Sequence, residues 1–210
     1  MRRRDGQKTA PSTMASESFS PVWHHRMKYF LSPQLDLYKN IARKFPKRYA
    51  TLDYGCGTGF GTLQLYDPKS HVFGVDVDKN AIQFAKDIIS LPMFECVDFL
   101  SSSPKEGFNA LNMTFDLISC IEVIEHCSDP HTLLFRLKNI LWSVGTIVVS
   151  TKNQNSGYRK NEAHETEYTI DAFKDLIHST LGEGARFADF TLENDLEPYV
   201  TPMVAIWQKP

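Results

Sequence analysis

A chain of 210 residues exceeds a minimal domain and falls short of two comfortable ones, so a single α/β core of about 180 residues is expected. With 42% hydrophobic and 12% aromatic residues it can bury both faces of a sheet, and 23 basic against 25 acidic residues exclude a global positive field for a polyphosphate. No apolar run approaches the roughly 18 residues of a bilayer span, and MRRR is not followed by the apolar stretch of a secretory signal, so a cytoplasmic location is expected.

Residues 1 to 20 are rich in Arg, Ser, Thr, Gln and Pro with almost no aliphatic content. Such a stretch cannot offset the entropy of ordering, so a flexible lead-in over 1–20 is expected before a domain over 21–210. Met14 opens MASES inside it and offers an alternative start, while Asp5, Glu17 and the missing amphipathic period argue against a mitochondrial presequence. The following WHHRMKYF carries His24, His25, Arg26 and Tyr29. From Ser32, a capping residue, and Pro33, suited to a first turn, the positions Leu35, Leu37, Tyr38, Ile41 and Ala42 share one helical face.

Short apolar runs then alternate with helical stretches, the pattern of βα units and a parallel sheet. Strands are predicted at Ala50 to Tyr54, Val72 to Val75, Met93 to Val97, Phe115 to Cys120 and Thr146 to Ser150. Helices are predicted near Gly61 to Tyr66, Asn80 to Ser90 and Pro130 to Leu141, the last opened by Asp129 and Pro130 as cap and first turn. A helix after Thr169 carries Phe173, Leu176 and Ile177. Two β-rich runs, Ala185 to Leu192 and Tyr199 to Gln208, close the chain and should include an antiparallel member. The fold class is therefore α/β, a doubly wound and mostly parallel sheet.

The polar segments Lys105 to Thr114 and Lys152 to Glu167 exceed the usual connection length, as functional loops do. Cys56, Cys96, Cys120 and Cys127 form no CxxC pair and fit neither a zinc ribbon nor a disulfide framework, so reduced thiols are expected. His71, His131 and His178 fall on edges or amphipathic helices and read as solvated or core-satisfied residues.

After the first strand comes DYGCGTGFG, in which Gly55, Gly57, Gly59 and Gly61 let the backbone approach a ligand closely. A dinucleotide fingerprint fails, because its last position falls on Phe60 or Thr62, and no GxxxxGK[ST] phosphate loop is present. The remaining pattern, an acid followed by three alternating glycines directly after a strand, resembles class I S-adenosylmethionine-dependent methyltransferases. The second strand runs into Asp76, about twenty residues past the loop, and CVDF follows the third.

The resemblance implies a Rossmann-like, seven-stranded single domain with an antiparallel last strand and S-adenosylmethionine as cofactor. In that family the glycines pass beside the methionine moiety, and the acid at Asp53 helps orient its amino acid end. Asp76 would hold both ribose hydroxyls, Asp98 the adenine amino group, and Phe99 would sit beside the ring. A carboxylate suits the ribose because it accepts two charge-assisted hydrogen bonds at once. The same correspondence assigns Gly55, Cys56, Gly57, Gly59, Val77, Ile121 and Glu122 to the cofactor. WHHRMKYF could fold over the cofactor's carboxylate, as a similar stretch does in some relatives.

The fourth strand ends FDLISCIEVIEHCSDP, with Glu122, Glu125 and His126 at i, i+3 and i+4. Two carboxylates and an imidazole make a site for Mg²⁺, Mn²⁺ or a similar ion. The E-x-x-E-H string resembles the metal motif of methyltransferases acting on polyprenyl catechols in ubiquinone synthesis, and of those capping the 3′ end of small RNAs. In the RNA group a further histidine follows the fifth strand, and here His164 stands in NEAHETEYT. Methyl transfer from a sulfonium needs an in-line nucleophile whose proton is removed or made more acidic. A metal held by Glu122, Glu125, His126 and His164 would do the second, and His126 or His164 as catalytic base the first. EVIEH also serves many class I members as the wall between cofactor and acceptor.

The family's Pro-Gly-Gly and Ser-Thr-Pro-Asn around strand five are replaced here by Trp142-Ser143-Val144-Gly145 and Ser150-Thr151-Lys152-Asn153. The expected acceptor is a small molecule, a quinol, a sugar or a lipid-linked intermediate, methylated on oxygen. An RNA 3′ end is the alternative, opposed by the acidic balance and the lack of a basic, aromatic groove. A nonenzymatic module that keeps the cofactor as a structural ligand is the third, opposed by the presence of all the cofactor acids.

Overall fold

In the computed structural model, the described residues are 33–90, 93–100, 113–156, 164–188 and 202–210. The lead-in over 1–20, the WHHRMKYF stretch, the Ser32 cap, residues 105–112 of the first long loop, 157–163 of the second, and 189–192 and 199–201 of the closing β-rich runs lie outside them. In chain order the elements are α1 (Pro33–Lys44), β1 (Ala50–Tyr54), α2 (Phe60–Leu65), β2 (His71–Asp76), α3 (Lys79–Ile88), β3 (Met93–Cys96) and β4 (Phe115–Ile121). There follow α4 (Pro130–Asn139), β5 (Leu141–Thr151), α5 (Ile170–Leu181), β6 (Arg186–Ala188) and β7 (Met203–Gln208), with a 3₁₀ turn at Ile124–His126 after β4.

The seven strands form one sheet in the order β3-β2-β1-β4-β5-β7-β6. The pairings from β3 to β5 are parallel, and β7 runs antiparallel to both β5 and β6. The predicted doubly wound sheet with an antiparallel member is therefore observed. β1 and β4 are neighbours, and the chain winds away from them in opposite directions. Their C-terminal ends form the crevice where open α/β sheets bind ligands.

All five residues of β1 and six of the seven in β4 are buried, because helices cover both faces of the sheet. Leu52, Ile118, Leu134, Leu137 and Ile147 are each 0% exposed within the larger core cluster, and burying each such side chain is worth about 1.5–3 kcal/mol. α1 packs on the opposite face through Leu37, Tyr38 and Ile41. Helix starts follow their sequence signals: Asp129 caps α4 through Thr132 N–H, and Thr169 caps α5 through Ala172 N–H. His131, on α4, is bound to Thr180 Oγ1 at 2.8 Å.

Strand five departs most from expectation. It begins at Leu141 rather than Thr146, and α4 stops at Asn139. Phe115 pairs with Leu141 while Leu117 pairs with Thr146, so Trp142, Ser143 and Val144 bulge out exposed. Trp142 stacks on Tyr49 with ring centroids 5.9 Å apart and its Nε1–H bonds Thr114 Oγ1, a cross-strand packing that local periodicity does not encode.

Candidate functional site

Where β1 ends, Gly55 N–H and Cys56 N–H both donate to Val75 O, at 2.8 and 3.0 Å, which folds the glycine loop back over β2. Gly55 and Gly57 have φ of 76° and 52°, which a side chain would resist. A Cβ on Gly55 would collide with Val123, whereas one on Gly57 would meet nothing within 4 Å. The loop thus packs against the β4 turn at one glycine and opens to a ligand at the other.

Asp76, the last residue of β2, takes Gly57 N–H on Oδ2 at 2.7 Å and Asp78 N–H on Oδ1 at 2.9 Å. Each oxygen keeps a lone pair for a ligand. Asp98 Oδ1 accepts from Leu100 N–H at 2.8 Å, which orients that carboxylate in the same way.

Asp53 is different. Its carboxylate is fully buried and takes hydroxyl hydrogens from Thr62 at 2.6 Å, Ser119 at 2.7 Å and Tyr38 at 2.9 Å. Burial raises it from 3.8 to about 6 against the pull of those three hydroxyls. It ties β1 to β4, α1 and α2 beneath the loop.

Beyond β4 the chain turns sharply. Glu122 adopts φ 56°, a left-handed conformation costing a non-glycine residue about 1–2 kcal/mol. Its N–H donates to Ser150 O at 3.1 Å. Ser150 Oγ donates back to Oε1 at 3.3 Å, and Lys152 Nζ lies 3.8 Å from Oε2. Burial first, then the neighbouring Glu125 charge, push Glu122 up to about 8, with Lys152 and hydrogen bonds from Ser150 and Gln34 opposing.

Glu125 is 1% exposed; Thr151 Oγ1 donates to its Oε2 at 3.0 Å, while the buried Oε1 accepts no hydrogen bond. The rings of His126 and His164 meet edge to face, centroids 4.7 Å apart. One potential ligand atom each from Glu125, His126 and His164 lies within 4.8 Å of the others. A buried carboxylate oxygen with an unmet acceptor beside two imidazoles fits a divalent ion, and this mixed donor set suits a transition metal better than Mg²⁺. Glu122 stands outside this trio and is engaged by Ser150 and Lys152 instead.

The two sides enclose a cleft of about 550 Å³ at the switch point between β1 and β4. Of the residues singled out from sequence, Gly55, Gly57, Asp76, Val77, Asp98, Glu122 and His126 line it. Asp53, Cys56, Gly59, Phe99, Ile121, Glu125 and His164 are not in that lining. Phe99 in particular is fully buried against the Tyr54 ring, with centroids 4.8 Å apart, and belongs to the core.

Tyr54, Leu100, Val123, Cys127, Ser128, Leu133 and Glu165 also line the cleft and were not singled out for it. Adjacency to the glycine loop could have indicated Tyr54, and adjacency to E-x-x-E-H could have indicated Cys127 and Ser128. Nothing local signals Glu165, which the 164–167 segment brings in. The cysteines are free, and burial raises the thiols of Cys56, Cys120 and Cys127, in keeping with reduced, unreactive groups. Among the described residues no helix is long and apolar enough to cross a membrane.

The chain is 30% identical over 107 residues to the ubiquinone biosynthesis O-methyltransferase of Aromatoleum aromaticum, covering 50% of this chain and 44% of that protein. It is 30% identical over 150 residues to the protein of the same name from Glaesserella parasuis, covering 68% and 62%. The matched part is thus less than two thirds of either relative.

Among solved structures, the plantazolicin methyltransferase BpumL in complex with SAH superposes with a TM-score of 0.65 at 18% identity, covering 95% of this chain and 92% of that one. An S-adenosylmethionine-dependent methyltransferase from Clostridium acetobutylicum superposes with a TM-score of 0.64 at 15% identity, covering 90% and 98%. At such identities the superpositions establish the shared fold. A family described as "Methyltransferase domain" matches residues 46–192, well over half of the chain, and the protein belongs to that methyltransferase family.

Proposed function

We propose that this chain transfers a methyl group from S-adenosylmethionine to an oxygen of a small-molecule acceptor, with a divalent metal ion held by Glu125, His126 and His164. The observation that carries the reading is a cleft bordered by Asp76 and Asp98 on one side and by Glu122 and His126 on the other. The relatives' name, ubiquinone biosynthesis O-methyltransferase, supports methylation on oxygen. The BpumL neighbour solved in complex with SAH supports the donor.

The donor supplies an electrophilic methyl on a sulfonium; the protein binds and orients it. Asp76, pre-aimed by two backbone N–H groups, accepts from the two ribose hydroxyls, and Asp98 accepts from the adenine amino group. Val77, 58% exposed beside Asp76, offers the adenine an apolar surface. Gly57 lets the backbone approach the methionine moiety, and Asp53 supports the loop from beneath.

The lining carries the carboxylates of Asp76, Asp98 and Glu165, with Glu122 largely protonated near neutral pH, and, among the described residues, no lysine or arginine. Such a cleft favours a cationic donor and repels a phosphate-bearing acceptor, which weighs against an RNA end. When bound, a divalent ion would make a coordinated hydroxyl more acidic. His126 and His164 would hold that ion through their ring lone pairs, so neither is then the base; in the metal-free reading the acceptor's proton goes to His126, which lines the cleft.

Titration calorimetry with S-adenosylmethionine tests the core of the reading: saturable binding is expected, and folded protein that binds none would overturn it. Transfer of a methyl label into fractionated lysate, with and without EDTA, then reports acceptor class and metal need. Label transfer indifferent to EDTA removes the metal and keeps the donor. Donor binding without transfer to any fraction leaves a cofactor-binding module.

A further inference from the structure

His164 and Glu167 are joined side chain to side chain, with ring Nδ1 3.0 Å from Glu167 Oε1. The His164 side chain is 0% exposed and that of Glu167 12%, so the contact is a shielded, charge-assisted hydrogen bond rather than a surface ion pair. A carboxylate only accepts, so Nδ1 carries the hydrogen. In the neutral ring, Nε2 on the opposite side then holds the lone pair.

The backbone ties the same stretch to the β4 turn. Glu165 N–H and Thr166 N–H both donate to Glu125 O, at 2.8 and 3.1 Å. Residues 164–167 and the turn at Ile124–His126 are thereby held in register, and Glu125 keeps its unmet Oε1 beside the paired imidazoles.

We propose that Glu167 is a positioning residue: it fixes His164 as the Nδ1–H tautomer and turns Nε2 toward Glu125 and His126, raising the affinity of that trio for a divalent cation. The inference rests on the metal reading above. A carboxylate behind a ligating imidazole makes it more basic and fixes its orientation, and losing such a partner weakens metal binding about 10- to 100-fold.

The test uses the full chain, its Glu167→Leu and Glu167→Gln variants, and His164→Ala. Binding of Mn²⁺ alone is followed by the electron paramagnetic resonance of the free ion, and the His164 tautomer by ¹⁵N resonances of the metal-free protein. Glu167→Leu is expected to weaken Mn²⁺ binding about 10- to 100-fold and to release the ring from the Nδ1–H form. Glu167→Gln, whose amide oxygen still accepts from Nδ1–H, is expected to lose only about 3- to 10-fold, and it keeps the test decisive if the leucine variant does not fold.

Equal Mn²⁺ affinity in wild type and Glu167→Leu, or a wild-type ring protonated on Nε2, would overturn the proposal. Wild type that binds no Mn²⁺ removes the metal reading itself and the cation-binding part of the proposal with it. The tautomer measurement then decides alone whether Glu167 positions His164.

Discussion

On the β1–β3 side of the cleft, Gly57, Asp76 and Asp98 lie within three residues of a strand's C-terminal end, and both acids are oriented by nearby backbone N–H groups. On the β4–β5 side, Glu122 and Glu125 are buried carboxylates, one in a left-handed backbone conformation and the other with an oxygen that accepts nothing. His164 joins them from a segment nearly forty positions further along the chain. The first side is a binding surface already satisfied before a ligand arrives. The second keeps strain and unmet polar groups, which persist where a reacting group or ion supplies the missing partner.

Asp76→Ala is the sharpest way to break the first side. It removes two charge-assisted bonds to the donor, worth about 3–6 kcal/mol together, so affinity by calorimetry should fall roughly 100-fold or more. Unchanged affinity would refute the assignment of that side to the donor. Glu125→Ala should spare donor affinity while lowering turnover and Mn²⁺ affinity roughly 100-fold. If it weakened the donor as much as Asp76→Ala does, the two sides could not be treated as separable.

Gly55→Ala probes the seam between them, because its new Cβ would collide with Val123 and its φ of 76° disfavours a side chain. Strain and overpacking together should cost about 3 kcal/mol in urea unfolding. A loss below about 0.5 kcal/mol would mean that the loop and the β4 turn are not rigidly packed.

Asp53→Asn tests the shared base of both sides. Burial raises this carboxyl from 3.8 to about 6 in the folded protein, so folding favours its protonated form. That contribution is full below about pH 4 and is lost as pH rises through about 6, a change of at most about 3 kcal/mol. The asparagine variant should lack this part of the pH dependence when unfolding is compared at pH 4 and pH 7. A pH dependence identical to wild type would place the titration elsewhere.

Much of the cofactor side was legible because its information is local. Strand, glycine loop, helix and following acid recur at fixed spacings, and β1 was found at its observed bounds. The E-x-x-E-H string likewise marked Glu125 and His126, since a single turn brings them together. Glu122 reads as a third ligand by the same spacing, yet the positive φ that follows β4 turns it to Ser150 and Lys152. Phe99 was expected beside a ligand and is core, because adjacency to Asp98 does not reveal which way a side chain faces.

By itself the amino-acid sequence determined the α/β class, the glycine loop and the acids at the ends of the strands, all of which follow from periodicity and short-range spacing. Only the tertiary structure decided that Asp53 lies beneath the loop and that Glu167 stands behind His164, and it brings His164, expected only through the family resemblance, beside Glu125 and His126. These depend on which strand ends become neighbours at the switch point and on how a distant segment folds back over them. Contacts of that kind are set by packing across the sheet and leave no period in the chain.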